Sequence, residues 1–209
     1  MRFVALATDY DETLADHGRV VHTSEQALER LRASGRKLLL VTGRDLDDLL
    51  RVFPRVDLFD AVVAENGALL YLPDNKQERR LAEAPPPAFA AALKRGGVPL
   101  TTGRVIVATR VPHEIAVLEE IKRQGLELQV IFNKGAVMVL PPRINKAAGL
   151  EAALAQLELW PQCCLCEGRR GPFSGFGVIL WVPADLKATG MDRSSLTLAY
   201  RFSARFLSA

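Results

Sequence analysis

The sequence predicts an α/β protein in which a parallel-sheet core carries a small inserted α+β domain. Residues 2–7 form a largely apolar run without polar alternation, which is typical of a central parallel strand buried on both faces. Residues 38–41 form a second apolar run. Between about residues 80 and 140 the pattern changes to short alternating segments. This change indicates a separate small domain within the chain.

The core elements follow one another in a regular order. A capping-box pattern at residues 23–26 predicts the start of a first helix. Residues 45–52 predict a second helix with acidic residues in its first turn, where they suit the helix dipole. Residues 61–64 predict a third core strand and residues 69–72 a further extended segment. The turn residues at 73–75 then mark the expected exit from the core.

The inserted domain is predicted to be small. Its expected elements are helices at residues 88–95 and 112–124 and strands at residues 105–109, 126–132 and 136–140. We therefore assign residues 79–141 to the inserted domain and residues 1–78 and 142–209 to the core.

Polar residues at the predicted strand ends form a candidate site. Asp9 and Asp11 follow the first strand, and the carboxyl ends of strands are where open α/β sheets hold ligands. Two carboxylates held close together repel each other and favour a divalent cation, and oxygen ligands alone favour Mg²⁺. Thr42 closes the second run, and Lys146 begins a helix. A hydroxyl and a lysine are suited to holding a phosphoryl group. The alternative for Asp9 and Asp11 is a solvated turn with an Asx hydrogen bond.

These motifs resemble those of the haloacid dehalogenase-like phosphohydrolases. Residues 9–14 are similar to the first motif of that family, residues 41–44 to the second and residues 145–146 to the third. Residues 65–68 resemble the segment that leads into the cap in the Cof-type branch. The resemblance covers roughly residues 1–160. It implies a Rossmann-like core and a small α+β cap that closes over the phosphate site and chooses the substrate.

The resemblance also implies a role for each site residue. Asp9 would attack phosphorus to form an aspartyl-phosphate, and Asp11 would act as general acid and then general base. Asp9 and the carbonyl of Asp11 would bind Mg²⁺, and Lys146 would neutralise phosphate charge and orient Asp9. The residues expected to bind substrate are Thr42, Gly43, Arg44, Asn66 and Lys146.

The sequence departs from the family pattern at two places. Glu12 stands where the family usually has glycine, so backbone freedom is lost and a carboxylate lies near the expected phosphate. The fourth motif, an apolar strand followed by Gly-Asp-x-x-x-Asp, is replaced by residues 163–171, in which Glu167 is the only acid. Glu167 is therefore the only nearby residue that could substitute as a metal ligand.

The atypical C-terminal part from about residue 163 has two explanations. The three cysteines at residues 163, 164 and 166 have no fourth ligand nearby, so incidental thiols are favoured over a zinc site. A shifted reading frame would restore an apolar strand followed by Gly-Asp under a suitable choice of codons. Native divergence is the alternative.

Composition bounds the possible classes of protein. The chain has 209 residues, of which 49% are hydrophobic and 24% charged, as in ordinary globular proteins. No apolar stretch approaches the roughly 20 residues of a membrane span, and the N-terminus is a poor signal peptide, so a cytoplasmic protein is expected.

The net charge of +3 comes from the residues after 167, which carry six basic and two acidic side chains. We expect neither a nucleic-acid nor a membrane partner.

These observations favour Mg²⁺-dependent hydrolysis of a small phosphorylated metabolite through an aspartyl-phosphate. The rival is a degenerate capped protein that binds a phosphorylated metabolite or partner without turnover. A receiver-type phosphoacceptor domain also uses aspartates, threonine and lysine. It is disfavoured because it has no cap and does not use the first carboxylate of an N-terminal Asp-x-Asp.

Overall fold

The structure, a computed structural model, describes residues 4–159 and the backbone of residues 164–167. The strands in chain order are β1 (Ala5–Asp9), β2 (Ala15–Asp16), β3 (Arg19–Val20), β4 (Lys37–Val41), β5 (Ala61–Ala64), β6 (Leu69–Leu72), β7 (Gln77–Arg80), β8 (Thr101–Thr102), β9 (Val107–Arg110), β10 (Gln129–Asn133), β11 (Ala136–Leu140) and β12 (Cys164–Glu167). The helices are α1 (His22–Ala33), α2 (Leu46–Val52), α3 (Pro87–Arg95), α4 (Glu114–Arg123) and α5 (Lys146–Gln156). Short 3-10 segments lie at Pro54–Leu58 and Glu65–Gly67.

The larger sheet has the strand order β12-β1-β4-β5-β6-β7 within the described residues. β12, β1, β4 and β5 run parallel, whereas β6 and β7 are antiparallel additions at one edge. Because the parallel strands share one direction, the carboxyl ends of β1 and β4 lie side by side, with Asp9 in register with Val41. This edge is where the chain places its first two motifs.

Apolar side chains cover both faces of the larger sheet, which is why its inner strands are continuously hydrophobic. One face packs with α1, α2 and the 54–58 turn through residues such as Leu28, Leu49 and Phe59. The other face packs against α5 through Leu150, Ala153 and Leu154. The core is therefore a three-layer α/β sandwich, and the predicted fold class is confirmed.

The second sheet, which we call the cap sheet, has the order β10-β11-β9-β8 in the described residues, and its strand pairs are antiparallel. One face buries Val107, Val137 and Val139 against α3 and α4. The opposite face carries Met138 and Leu140, which cluster with Ala68, the residue before β6 of the larger sheet. The cap sheet therefore packs on the core through the face opposite its own helices.

Several expected elements appear with the expected bounds and others differ. The strands at 61–64 and 136–140 are those expected. The prediction that the chain leaves the core at residues 73–75 was wrong, because the chain turns back there into β7. Arg79 and Arg80, which were assigned to the inserted domain, therefore lie in the larger sheet. The capping box was also wrong, since α1 begins at His22 without a side-chain cap bond. The division at 79 and 141 otherwise stays a prediction.

The C-terminal part is described only in one strand. The backbone of residues 164–167 pairs in parallel with β1, and Glu167 lies in register with Thr8, one residue before Asp9. The segment that stands in place of the fourth motif therefore forms a strand beside β1. The expectations for Cys163 and for residues 168–209 lie outside the described residues. Among the described helices, none has the length and apolar character required to cross a membrane.

Candidate active site

Asp9 and Lys146 form the centre of the site. Asp9 is the last residue of β1, and its side chain is nearly buried. Lys146 Nζ lies 3.0 Å from Oδ1 and 2.9 Å from Oδ2 of Asp9. The backbone N–H of Tyr10 donates to Oδ1 at 2.8 Å. The carboxylate is thus held by a cation and by the main chain in a largely dehydrated place, where such interactions are stronger than in water.

The start of α5 brings Lys146 to this position. Asn145 caps the helix, and its side chain accepts a hydrogen bond from the N–H of Ala148 at 2.9 Å. A Cβ atom on Gly67, which has φ of +104°, would overlap the carbonyl of Asn145. A Cβ atom on Gly149 would lie 2.5 Å from Cγ1 of Val63 and 2.6 Å from Cα of Gly67. Two glycines therefore let the helix approach the end of β5 closely enough for Lys146 to reach Asp9.

Asp11 is held by Arg44. The guanidinium donates to both carboxylate oxygens of Asp11, at 2.7 Å from Nη2 to Oδ1 and 3.0 Å from Nε to Oδ2. Its Nη1 donates to Asp48 at 2.6 Å. The hydrogen bond that Arg44 donates to Asp11 is the main cause of a strongly raised pKa of Arg44, so the guanidinium stays charged. The cation also lies 5.3 Å from the ring centroid of Tyr10, whose pKa is raised mainly by burial.

Thr42 and the loop that follows it are fixed by the neighbouring strand. Thr42 is fully buried, and its backbone N–H donates to Val63 at 2.8 Å. Its hydroxyl oxygen accepts from the N–H of Arg44 at 3.1 Å, which leaves the hydroxyl proton for another acceptor. The N–H of Asn66 donates to the carbonyl of Thr42 at 3.0 Å. The second motif and the 65–67 turn thus form one rigid unit beside Asp9.

Glu65 is a fully buried carboxylate that joins the end of β5 to the segment between β8 and β9 of the cap sheet. It accepts hydrogen bonds from three consecutive backbone N–H groups, those of Arg104 at 2.7 Å, Val105 at 2.7 Å and Ile106 at 2.8 Å. The Arg104 side chain adds ion pairs to Asp47 and Glu78 of the core. Sequence reasoning missed this role, and the available signal was an acid directly after a buried strand.

Glu12 contacts the cap sheet. Its φ of +56° is in the left-handed region, where a residue other than glycine is strained. Its carboxylate forms an ion pair with Lys134, which lies in the turn between β10 and β11. The expected repulsion between Glu12 and a phosphate therefore has a neighbouring cation to offset it.

The predicted site residues lie together around the ends of β1 and β4. Lys146 contacts Asp9, and Arg44 contacts Asp11. Gly43 lies beneath Met138 of the cap sheet, since a Cβ atom on it would be 3.9 Å from the sulfur. Asn66 adopts a left-handed φ of +55° next to Gly67. The roles in substrate binding assigned to Thr42, Gly43, Arg44 and Asn66 stay predictions.

The described residues of the site offer the kind of ligand that Mg²⁺ prefers, but they offer too few of them. The Asp9 carboxylate and the Asp11 carbonyl are oxygen donors, which Mg²⁺ prefers. Within residues 4–159 and 164–167, however, no group of three or more His, Cys, Asp or Glu side chains is placed to hold a metal ion. Glu167 ends the strand beside β1, and only its backbone is described.

The comparisons with known proteins agree with this geometry. Residues 6–88 match the family model of haloacid dehalogenase-like hydrolases. A haloacid dehalogenase-like hydrolase from Bacteroides thetaiotaomicron superposes with a TM-score of 0.66 at 15% identity, over 80% of this chain and 82% of that one. A sugar phosphatase of haloacid dehalogenase subclass IIB gives a TM-score of 0.58 at 17% identity, over 78% and 79% of the two chains. The C-terminal domain of a Candida albicans trehalose-6-phosphate phosphatase gives 0.59 at 16% identity, over 78% and 68%.

The fold is an α/β core that carries a second, antiparallel sheet, and it is shared with solved structures of the haloacid dehalogenase type. The solved structures show the shared fold, and the family model carries the relationship over the first two motifs. The resemblance seen in the motifs is therefore confirmed as a similarity: residues 6–88 match the model of the haloacid dehalogenase-like hydrolases, and the fold is shared with solved structures of that type.

Proposed function

We propose that this protein is a cytoplasmic phosphatase that hydrolyses a small phosphorylated metabolite through an aspartyl-phosphate intermediate. The observation that carries the proposal is the contact of Lys146 with both oxygens of the nearly buried Asp9. A carboxylate with a cation beside it at a strand end is suited to attack an anionic phosphoryl group. The cation offsets the repulsion between carboxylate and phosphate.

In the first step an Asp9 oxygen forms a bond to phosphorus and the bond to the leaving oxygen breaks. The Tyr10 N–H holds Oδ1, which leaves Oδ2 as the less hydrogen-bonded oxygen for attack. Asp11, two residues further on, gives its proton to the leaving oxygen. Lys146 and the Thr42 hydroxyl bind the phosphoryl oxygens and reduce the developing charge.

In the second step Asp11 accepts a proton from water as the water oxygen attacks phosphorus. The bond between phosphorus and Asp9 breaks, inorganic phosphate leaves, and Asp9 is restored as a carboxylate. Arg44 holds Asp11 by both oxygens, so the carboxyl group must move from this pairing when it takes up the proton.

Magnesium belongs to the same proposal. Asp9 and the carbonyl of Asp11 would hold the ion, with Glu167 as a candidate third ligand. When bound, the ion would neutralise phosphate charge and orient the phosphoryl group.

A phosphatase assay tests the proposal. Sugar phosphates, phosphoglycolate and an aryl phosphate should be offered with and without Mg²⁺, to the unmodified chain and to Asp9→Asn. We expect Mg²⁺-dependent phosphate release that Asp9→Asn lowers by roughly three orders of magnitude or more. Asp74→Asn, at an exposed turn, is the matched control and should keep full activity.

The outcomes separate the two candidate functions. Turnover unchanged in Asp9→Asn would contradict the aspartyl-phosphate mechanism. Phosphate binding without turnover in the unmodified chain would favour the alternative, a capped protein that binds phosphorylated compounds without hydrolysing them. Circular dichroism of each variant checks that the fold is retained.

A further inference from the structure

The core-facing side of the cap sheet consists of successive rows of residues. Strand residues alternate between the two faces of a sheet, so Met138, which clusters with core residues, fixes which side chains share its face. Ala108 and Ile131 are the cross-strand partners of Met138. The next row outward contains Arg110, Ala136 and Asn133, which pair across the three strands. We call these three residues the tip row.

The tip row lies next to Lys134, which reaches the segment that follows β1. The N–H of Val111 donates to the carbonyl of Gly135 at 3.0 Å, which ties Arg110 to the turn that contains Lys134. Lys134 forms the ion pair with Glu12. Glu12 is one residue from Asp11 and three from Asp9. The turn of the cap sheet is therefore placed at the edge of the candidate active site.

The two rows differ in chemistry. Met138 and Ile131 are apolar, and Met138 lies over Gly43 of the second motif. The tip row carries the positive charge of the exposed Arg110, and the adjacent turn carries that of Lys134. Outward from the position over Gly43, the core-facing side of the cap sheet thus changes from apolar residues to two positively charged residues.

We propose that Lys134 and Arg110 form a subsite for an acidic group on the leaving part of the substrate, and that Glu12 occupies Lys134 until such a substrate binds. This inference rests on the proposed function, because it takes the phosphate to bind beside Asp9. The substrate class is then a phosphomonoester with a second anion, a carboxylate or a second phosphate, separated from the first by a short neutral spacer.

Glu12 fits this role because it is an anion at the expected place of the substrate acid. Its carboxylate is carried by a strained backbone with φ of +56°, a conformation that is unfavourable for a residue with a Cβ atom. In its pairing with Lys134 it provides the charge that a bound acid would provide. A substrate acid must therefore compete with Glu12 for the ammonium group.

Binding of phosphonates that cannot be hydrolysed tests the subsite. Isothermal titration of the full chain with Mg²⁺ should compare phosphonoacetate, phosphonopropanoate and phosphonobutanoate with ethyl-, propyl- and butylphosphonate. A propane bisphosphonate distinguishes a second phosphate from a carboxylate. At one spacer length we expect the probe with a second anionic group to bind about fivefold more tightly than the alkylphosphonate of the same length. One extra charge-assisted contact at a partly exposed site allows a difference of this size.

Two variants and a control assign that preference. Lys134→Met should abolish the preference, and it should weaken the binding of acidic and alkyl probes alike because Glu12 loses the cation that offsets its repulsion of the phosphonate group. Glu12→Gln should increase the preference about threefold, because the competing charge is removed. Lys122→Met, on the exposed face of α4, should behave as the unmodified chain.

The results distinguish a failure of the subsite from a failure of the proposed function. If alkylphosphonates bind in competition with inorganic phosphate but no acidic probe is preferred, the subsite is wrong and the proposed function stands. A preference that survives Lys134→Met also overturns the subsite. If neither alkylphosphonates nor inorganic phosphate bind, the phosphate site and the subsite both fail.

Discussion

At the scale of single residues, Arg44 has the most demanding arrangement. It donates to both oxygens of Asp11 and to Asp48 and lies over the ring of Tyr10. Only a planar guanidinium can make these contacts together, because lysine carries a point charge without a fixed fork. We therefore predict that Arg44 positions Asp11, the proposed general acid and base; the contact with substrate that the family resemblance implies for Arg44 also stays a prediction.

Arg44→Lys tests this positioning role. The charge is kept but the two-oxygen contact with Asp11 is lost, so we expect kcat to fall about tenfold with little change in KM. Steady-state kinetics with a phosphate ester measures kcat and KM.

The matched control is Arg51→Lys, since Arg51 contacts Asp48 and is largely exposed. It should leave both constants unchanged. A rise in KM alone in Arg44→Lys would show that Arg44 binds substrate directly and would contradict the positioning role.

At the scale of elements, the approach of α5 to the core decides where Lys146 lies. The helix starts at Lys146 and contacts the 65–67 turn within its first four residues, where Gly149 meets Gly67 and Val63. Glycine inside a helix is normally less favourable than alanine by about 1 kcal/mol. Glycine stands at position 149 because a methyl group would not fit there.

Gly149→Ala should therefore reverse the usual effect of this substitution. We expect a loss of about 1–3 kcal/mol in the free energy of unfolding, because the methyl group would overlap Val63 and the backbone of Gly67. Activity should fall as well, since the displaced helix carries Lys146 away from Asp9. Urea unfolding and phosphatase assays measure the two effects.

Ala155→Gly in the same helix is the control, as Ala155 is exposed. It should lose only about 1 kcal/mol of stability and keep its activity. A Gly149→Ala variant more stable than the unmodified chain would show that α5 can move outward without strain.

Which elements could be predicted from the sequence depends on what signal their residues carry. β5 and β11 were predicted to the residue because they are apolar runs between polar turns. β7 was missed because its four residues, Gln77–Arg80, are exposed on both faces and carry no hydrophobic pattern. α1 was predicted two residues late, because the capping-box pattern at residues 23–26 places the N-cap at Thr23 whereas the helix has its N-cap at Val21.

The candidate site shows the same division. Asp9, Thr42 and Lys146 stand at recognisable motifs, and the sequence indicated them directly. The pairing of Arg44 with Asp11 joins residues 33 positions apart, and Glu65 contacts backbone groups that have no side-chain signal at all. Such contacts depend on the folded arrangement and cannot be inferred from local patterns.

At the scale of the whole molecule, the core and the cap sheet are joined by a buried charge. Glu65 is fully buried, and its partners are three N–H groups of the cap segment. The shared apolar cluster of Ala68 with Val105, Ile106 and Met138 surrounds this contact. A buried carboxylate without those donors would be costly, so the docking of the segment around residue 104 is coupled to the folding of the core.

Glu65→Gln should weaken this coupling. The amide keeps one acceptor oxygen but turns an NH₂ group toward backbone donors, so at least one buried N–H loses its partner, at a cost of about 2–4 kcal/mol in the free energy of unfolding. Hydrogen exchange should locate the loss: residues 104–106 and the cap sheet should exchange faster, while β4 and β5 are less affected. Glu78→Gln, which removes a partly exposed partner of Arg104, is the control and should cost less than about 1 kcal/mol. If exchange in the core and in the cap sheet increased equally, the two would unfold as one unit and Glu65 would be an ordinary core contact, with no special role in joining them.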